Sequence, residues 1–449
     1  MEKIKNKNII TLIVSVAMAF TMFPAFASAD VSPVTAKVWF NASDAERFIM
    51  SRQELTVSSD LSNEYYDILE QENGVTVIDV LIAACIKKYG NAFKNASIEE
   101  RKEDYLDFSY SEAYDSWSVT KWFGQSTFST IYYINKSMSG SVDQSVVSNG
   151  DLIESVYIGE SFSDLYSCFD KNSYSVKTGR KFQITIKADT WGTAVKPNAG
   201  TRICSIDKST GLLAVLPGMN TDADGKALIS FAKPGTYYIS AKGPVTYDSF
   251  GSTVTGKITA PWAEVKVTME TPSVKAANKS IKSIKISWKK ITGAEKYQVY
   301  RSVKKNKGFK KVKTTKKTYW INTKLKTGKK YYYKVRAISG TEKSSFSNVK
   351  SAKPKPAKVI ISKIQNRGGN ILINWKKVKD ADGYVIYKKE SSKGKFRNVK
   401  TLKASYSKKY TSMGIKKGKV YSYKIKAYKI VKGKKVYGDF SGIKKIKAK

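Results

Sequence analysis

Ile286-Ser-Trp-Lys-Lys-Ile-Thr-Gly-Ala-Glu-Lys-Tyr-Gln-Val-Tyr300 returns 87 residues later as Ile373-Asn-Trp-Lys-Lys-Val-Lys-Asp-Ala-Asp-Gly-Tyr-Val-Ile-Tyr387, an internal repeat that sets the fold of the C-terminal part. Trp288 and Trp375 each stand nine residues before Tyr297 and Tyr384. The offset of 87 holds at Phe309 and Phe396, Val312 and Val399, and Tyr319 and Tyr406, then becomes 90 at Tyr331 and Tyr421, as a three-residue insertion before Ile415 would make it. Within each copy, Tyr331-Tyr-Tyr-Lys-Val-Arg-Ala337 and Tyr421-Ser-Tyr-Lys-Ile-Lys-Ala427 set bulky residues on one face and mostly polar or basic ones on the other. That period of two is a half-buried strand. Several such strands, divided by Gly and Lys turns, predict a small antiparallel sandwich in each copy.

These repeats resemble fibronectin type III modules. Trp288 and Trp375 take the place of the family's core tryptophan. Leu325-Lys-Thr-Gly-Lys-Lys-Tyr331 and Ile415-Lys-Lys-Gly-Lys-Val-Tyr421 match its apolar-x-x-Gly-x-x-Tyr corner, in which the tyrosine hydroxyl bonds back to the main chain. The resemblance implies a spacer or binding platform and does not fix an activity. Neither copy carries Arg-Gly-Asp, the integrin-binding tripeptide of some family members.

Charge divides the chain. Residues 271–449 hold 54 Lys and Arg against six acids, Glu295, Glu342, Asp380, Asp382, Glu390 and Asp439, a net of +48; residues 1–270 carry 26 basic and 31 acidic groups. A basic tail behind a slightly acidic head predicts a polyanionic surrounding for the tail alone. Lysine pairs such as Lys304-Lys305, Lys310-Lys311, Lys316-Lys317, Lys329-Lys330, Lys416-Lys417 and Lys444-Lys445 would also block edge-to-edge strand pairing, and the two roles are compatible. The aromatic residues interleaved with the lysines fall on the core period, so they are read as packing groups and not as base-stacking platforms.

Lys3, Lys5 and Lys7, the apolar run Ile9 to Phe20 and Ala27-Ser28-Ala29 read as a secretory signal, with a mature chain beginning near Asp30 and no later membrane span. For an exported protein the nearest polyanion is a cell wall with phosphate-rich polymers, so no nucleic-acid partner is expected. There is no Leu-Pro-x-Thr-Gly motif for covalent wall attachment. Cys85 lies in a helical apolar stretch and is expected to be a buried thiol, whereas Cys168 and Cys204 could pair or stay reduced. The chain has no histidine, no Gly-x-Ser-x-Gly and no metal-ligand cluster. No catalytic residue, cofactor or metal is expected, and the chain is not read as an enzyme.

The head, 30–171, differs in kind. Thr76 is a cap candidate for a helix through Val77-Ile-Asp-Val-Leu-Ile-Ala-Ala-Cys85, with Lys87 and Lys88 in its last turn and Gly90 as its stop. Strands are predicted at Ala36 to Phe40, Thr130 to Ile134 and from Gly150 to Tyr157, giving an α+β unit. The helix ending in Tyr89-Gly90, the Tyr132-Tyr-Ile-Asn135 strand end and the Gly150-Asp-Leu-Ile153 turn resemble the bacterial relatives of the transcobalamin C-terminal domain, a β-grasp-like module. That resemblance implies a small ligand such as a corrinoid, or a protein or glycan partner. Trp117, Trp122, Phe123, Tyr132 and Tyr133 crowd one part of the head; they would be either a carbohydrate-stacking surface or a core seam. Glu99, Glu100, Glu103 and Asp104, around Arg101 and Lys102, are spaced as a solvated helix face.

Residues 172–271 read as an Ig-like sandwich, with Lys181-Phe-Gln-Ile-Thr-Ile-Lys-Ala188 alternating and Thr221 to Ala241 reading as strand, Pro-Gly turn, strand. Asp222, Asp224 and Gly225 form an Asp-Gly turn and lack the remaining ligands of a calcium loop. The whole is therefore a mainly β, multidomain chain: signal peptide 1–29, transcobalamin C-terminal-like domain 30–171, Ig-like domain 172–271, and fibronectin type III domains 272–354 and 355–449. The expected function is a non-enzymatic, secreted and cell-wall-associated binding or adhesion protein of a Gram-positive type bacterium, with a partner-binding head on a basic stalk. The alternative is an extracellular binder of a corrinoid or carbohydrate.

Overall fold

A computed structural model describes residues 33–68, 74–127, 129–190, 193–390, 394–405 and 408–449. The expected signal peptide and Tyr406 lie outside the described residues. Among the described residues no helix is long and apolar enough to cross a membrane. The chain is mainly β and divides into two compact units, Met1–Ala42 with Arg52–Val156, and Ser43–Ser51 with Tyr157–Lys449.

The first unit holds strands of a five-stranded sheet in the order Phe48–Ser58, Thr35–Ser43, Leu152–Tyr157, Thr130–Ile134, Ser137–Met138, and a separate sheet of Asp107–Ser111, Ser116–Trp122 and Gln125–Ser126. Its main helix is Val77–Tyr89, and every side chain from Val77 to Cys85 is buried. A helix apolar on all sides belongs in an interior, and its polar start must then be satisfied from within. Asp79 does this: its carboxylate accepts from Thr76 N at 3.2 Å and from Ser62 N at 2.9 Å. Burial pushes the Asp79 carboxyl upward, against the two main-chain bonds that favour its charged form. Lys87 and Lys88 occupy the last turn and Gly90 follows with φ 59°, as the sequence reading expects. In the short helix Ile98–Asp104 the reading holds for the exposed acids but not for Arg101, which is buried. Its guanidinium donates to the carbonyls of Phe93, Tyr65 and Lys94, tying its helix to two other chain segments.

In the second unit, one sheet runs Ser173–Lys177, Ala263–Thr268, Gly235–Lys242, Arg202–Ile206, Leu213–Asn220, and another is built on Phe182–Thr190, flanked by Thr193–Val195 and Lys226–Ile229. Between them lies a core that includes Ile184, Ile186, Ile203, Ile239, Val265 and Val267. Tyr166–Phe169, which the expected boundary at 171 would leave with the head, pairs with Phe182–Thr190. Ser43–Ser51 also belongs here: Phe48 N donates to Gly211 O at 3.0 Å and its ring meets Trp262 edge-on at 5.5 Å. The Pro234-Gly235 turn is a crossover between sheets and not a hairpin, because Lys226–Ile229 pairs with Phe182–Thr190 while Gly235–Lys242 pairs with Ala263–Thr268.

Each repeat is a fibronectin type III-like sandwich. In the first, the sheet Lys275–Ser280, Ser283–Ser287, Tyr319–Asn322 faces the sheet Lys310–Thr315, Lys296–Ser302, Tyr331–Ser339, with Lys350–Ala352 also on Tyr331–Ser339. In the second, Ile361–Arg367, Asn370–Trp375, Lys409–Ser412 faces Arg397–Lys403, Gly383–Glu390, Val420–Val431, with Lys444–Lys447 on the last of these. Trp288, Tyr297, Tyr331 and Tyr333 belong to one core, and Trp375, Tyr384, Tyr421 and Tyr423 to the other. The tyrosine corner forms twice: the Tyr331 hydroxyl accepts from Lys326 N at 3.1 Å and the Tyr421 hydroxyl from Lys416 N at 3.0 Å. Gly328 and Gly418 turn these corners at φ 79° and 82°, which L side chains rarely adopt. Tyr331→Phe removes the acceptor and keeps the ring, so it should destabilise the first repeat by about 1–2 kcal/mol. Slowed exchange protection lost only in the Tyr331–Ser339 strand is the expected readout of full-chain hydrogen exchange; unchanged protection would show that the corner contributes nothing.

Candidate functional site

The head aromatics separate into interior and surface. Trp122 is 0 % exposed, and Phe123, Tyr132 and Tyr133 are also buried. The Trp122 indole donates to Ser155 Oγ at 2.6 Å and its ring meets Phe123 edge-on at 5.5 Å. These four are core residues, which corrects the ligand-contact reading for them: a ring with no exposed face has nothing to stack on a sugar. Trp122, Tyr132 and Tyr133 are strand residues, and Phe123 lies in the turn that follows Trp122, at φ 47°. Trp117 differs. It is half-buried on Ser116–Trp122, tilted against the exposed Tyr110 at 5.4 Å, with Tyr114 also exposed on the same hairpin.

The acidic motifs are occupied locally. In the Asp222-Ala-Asp-Gly225 turn, Asp222 Oδ1 accepts from Asp224 N and Lys226 N, both at 2.9 Å. The Asp224 carboxylate lies 2.8 Å from Lys196 Nζ and 3.2 Å from Lys226 Nζ, and these cations hold it below the usual carboxylate range. Among the described residues no group of three or more Cys, Asp or Glu side chains could hold a metal ion. Cys85 is buried and its thiol is pushed up by desolvation; Cys204 is buried and likewise raised. Cys168 and Cys204 are not joined by a disulfide, and they stand on strands of different sheets.

The tail presents a different kind of surface. On the strand Tyr331–Ser339 the side chains of Tyr331, Tyr333, Val335 and Ala337 point into the core, so Lys334 and Arg336 point out. Opposite them on Lys296–Ser302 stand Tyr300, paired with Lys334, and Gln298, paired with Arg336. Lys334 Nζ lies 3.9 Å from the centre of the Phe346 ring and 4.9 Å from that of Phe309. The Arg336 guanidinium lies 4.9 Å from Phe346 and donates to Gln298 Oε1 at 2.9 Å and to the Tyr300 hydroxyl at 3.0 Å.

The second repeat builds the same surface. Lys424 Nζ lies 4.0 Å from the Phe440 ring centre and 4.3 Å from that of Phe396, and Lys426 Nζ 4.0 Å from Tyr437. Tyr300 meets Phe346, and Tyr387 meets Phe440, edge-on at 5.0 Å. Tyr300, Phe309, Phe346, Tyr387, Phe396 and Phe440 are all partly exposed, so the expectation that aromatics among the lysines serve the core fails for these six. The ion pairs Lys355 with Asp439 and Lys429 with Asp382 involve none of Lys334, Arg336, Lys424 and Lys426. Such a face can attract an anion.

No family model matches the chain, and no curated protein matches it. Among solved structures it is similar to the FN1–FN3 domains of chicken CNTN1, at 15 % identity over 64 % of this chain and 98 % of that one, with a TM-score of 0.24. A two-domain fibronectin type III segment of chicken tenascin aligns at 14 % identity over 39 % of this chain and 99 % of that one, TM-score 0.23. A Fn3-like protein from Clostridium thermocellum aligns at 29 % identity over 18 % of this chain and 86 % of that one, TM-score 0.17.

Proposed function

We propose that the chain is a non-enzymatic binding or adhesion protein of the cell exterior, whose fibronectin type III-like repeats hold it on an anionic polymer of the cell wall. The observation that carries this reading is the charge of the repeats: 54 basic against six acidic groups from residue 271 onward, with the paired lysines named above exposed. A surface of one sign raises the local concentration of a polymer of the other. The basic N-terminus, apolar run and Ala27-Ser28-Ala29 support export, as on Gram-positive type bacteria. In this reading the N-terminal unit, with its transcobalamin C-terminal-like features, faces outward and meets the protein or glycan partner.

The test is retention of the labelled full chain on intact wall-bearing cells as salt rises. At about 1 M salt the screening length falls to roughly 3 Å, so release should be nearly complete, against little release at about 0.1 M. Release that does not change with salt would overturn electrostatic retention.

A second reading, contact with a glycan through the head, draws on the exposed Tyr110 and Tyr114 and the half-buried Trp117 of one hairpin. It keeps the carbohydrate alternative in a different place from the buried cluster.

A further inference from the structure

Resting on the retention reading above, we propose that the polymer is gripped at one defined face in each repeat: Lys334 and Arg336 over Phe346 in the first, Lys424 and Lys426 beside Phe440 in the second. The occupant is a base-free phosphodiester polymer, a chain of small polyol units joined through phosphates.

The tail carries dozens of exposed lysines. Several cations there lie over aromatic rings, but Lys334, Lys424 and Lys426 come closest, at 3.9–4.0 Å, against 4.8 Å or more for Lys285, Lys317, Lys330, Lys388, Lys389 and Lys435. Lys334 lies 3.9 Å from the Phe346 centre, and Lys424 lies 4.0 Å from the centre of Phe440. A ring quadrupole under an ammonium fixes its position and replaces part of its hydration. Less side-chain freedom is then lost and less water displaced when an anion arrives on the open side. The two cations of each face stand two residues apart on one strand, about 7 Å along it. They meet successive charges of an extended chain.

The geometry also selects among anions. The near faces of the Phe346 and Phe440 rings are covered by cations, so a nucleobase or sugar ring has no clean platform on which to stack. Of the 54 basic residues in the tail, only Arg301, Arg336, Arg367 and Arg397 are arginines. The guanidinium of Arg336 already donates from Nε to Gln298 and from an Nη to Tyr300. Two of its five N–H donors are thus engaged within the protein, the Nε side of the fork among them, whereas the compact ammonium charges of the lysines suit the oxygens of a phosphate. The face recurs at Tyr300 and Tyr387, Phe309 and Phe396, Lys334 and Lys424, and Phe346 and Phe440, and its core side is a separately packed sandwich in each repeat. A polymer long enough to reach both faces gains avidity from the second.

The experiment titrates the full chain with poly(glycerol phosphate) across a salt series. The face variant is K334Q, R336Q, K424Q and K426Q together; the control is K275Q, K279Q, K416Q and K417Q, the same change in net charge at exposed sites off the face. All eight positions project from the sandwiches, and an unchanged melting temperature shows both variants folded. The face variant should bind at least about tenfold more weakly, with a salt slope lower by about 3 to 4, roughly one per lost phosphate contact. The control should lose less than about threefold. Equal losses in the two variants would overturn the face and leave the retention reading standing. No binding of the unmodified chain at low salt would overturn both. Tighter binding of a single-stranded oligodeoxythymidylate of matched charge would overturn the base-free occupant.

Discussion

Trp288→Ala should destabilise the first repeat by about 3–5 kcal/mol, while Trp288→Phe should cost only about 1–2 kcal/mol. Trp288 is 7 % exposed, packs in the core with Ile286 and Tyr333, and lies 5.3 Å from Tyr297 ring to ring. Truncation to alanine leaves a cavity that a β-sandwich cannot collapse around, because its two sheets are held apart by the remaining large side chains. The indole N–H makes the comparison informative. Neither Trp288 Nε1 nor Trp375 Nε1 has a hydrogen-bond partner among the described residues, so the tryptophans act through bulk and not through a bond. Phenylalanine forfeits part of the volume and also removes a buried unpaired donor, whose desolvation the tryptophan bears. Hydrogen exchange on the full chain gives the opening free energy of the Ser283–Ser287 and Lys296–Ser302 strands. If phenylalanine proves as damaging as alanine, the indole N–H has a partner and the packing account is wrong. Trp375→Ala should act in the same way on the second repeat and leave the first unchanged.

The cores of the repeats were legible because two signals agree there. The period of two places Tyr331, Tyr333, Val335 and Ala337 on one face, and the repeat fixes the register by matching Trp288 with Trp375 and Tyr331 with Tyr421. Lys334 and Arg336 follow from the same alternation, but two of their aromatic partners do not. Phe309 precedes a strand and Phe346 lies in the segment after Glu342–Lys343, so neither takes part in a strand period that would point it inward or outward. Tyr300 keeps the alternation, turned outward after the buried Tyr297 and Val299, so the period of two already places it on the surface and only its composition reads as core. Phe309 and Phe346 likewise read as core by composition and lie on the surface by geometry. The opposite slip affects Arg101, which its acidic neighbours Glu99, Glu100 and Glu103 present as solvated. Three main-chain carbonyls outside its own turn draw it inside, and those become neighbours only through the tertiary fold.

The head cluster shows what density alone conveys. Trp122, Phe123, Tyr132 and Tyr133 were recognisable as a group, and all four are buried, with Tyr132 and Tyr133 on opposite faces of one strand. Trp117 belongs to it only in sequence, because it precedes the strand end that turns inward. Ser43–Ser51 carries no signal that assigns it to the second unit: Phe48 is one apolar residue in a run that any half-buried strand would show. The choice between partners for such a strand end is made by shape, which a one-dimensional pattern does not hold.

Glu154→Ala should destabilise the N-terminal unit by about 3–5 kcal/mol, the cost of leaving a buried cation without its counter-charge. Glu154 Oε1 lies 2.6 Å from an Arg52 Nη, with the two side chains 5 % and 9 % exposed, and Arg52 Nε donates to Asn41 Oδ1 at 2.9 Å. These residues stand on the adjacent strands Leu152–Tyr157, Thr35–Ser43 and Phe48–Ser58, so the pair ties the sheet from within and its effect should be read there. The contrast is with Lys355 and Asp439, a pair at the surface of the tail whose loss should cost no more than about 1 kcal/mol. Screening separates the two, because salt weakens exposed pairs and leaves buried ones nearly intact. Hydrogen exchange of the full chain at low and high salt should show the Glu154→Ala loss in the five-stranded sheet at both. Replacing both partners, Glu154→Leu with Arg52→Met, should return most of the stability, because an apolar pair of similar volume has no charge to desolvate. A single substitution that costs less than about 1 kcal/mol would show that water reaches Arg52. A double substitution no better than the single would show that the surrounding groups, Asn41 among them, depend on the charge itself.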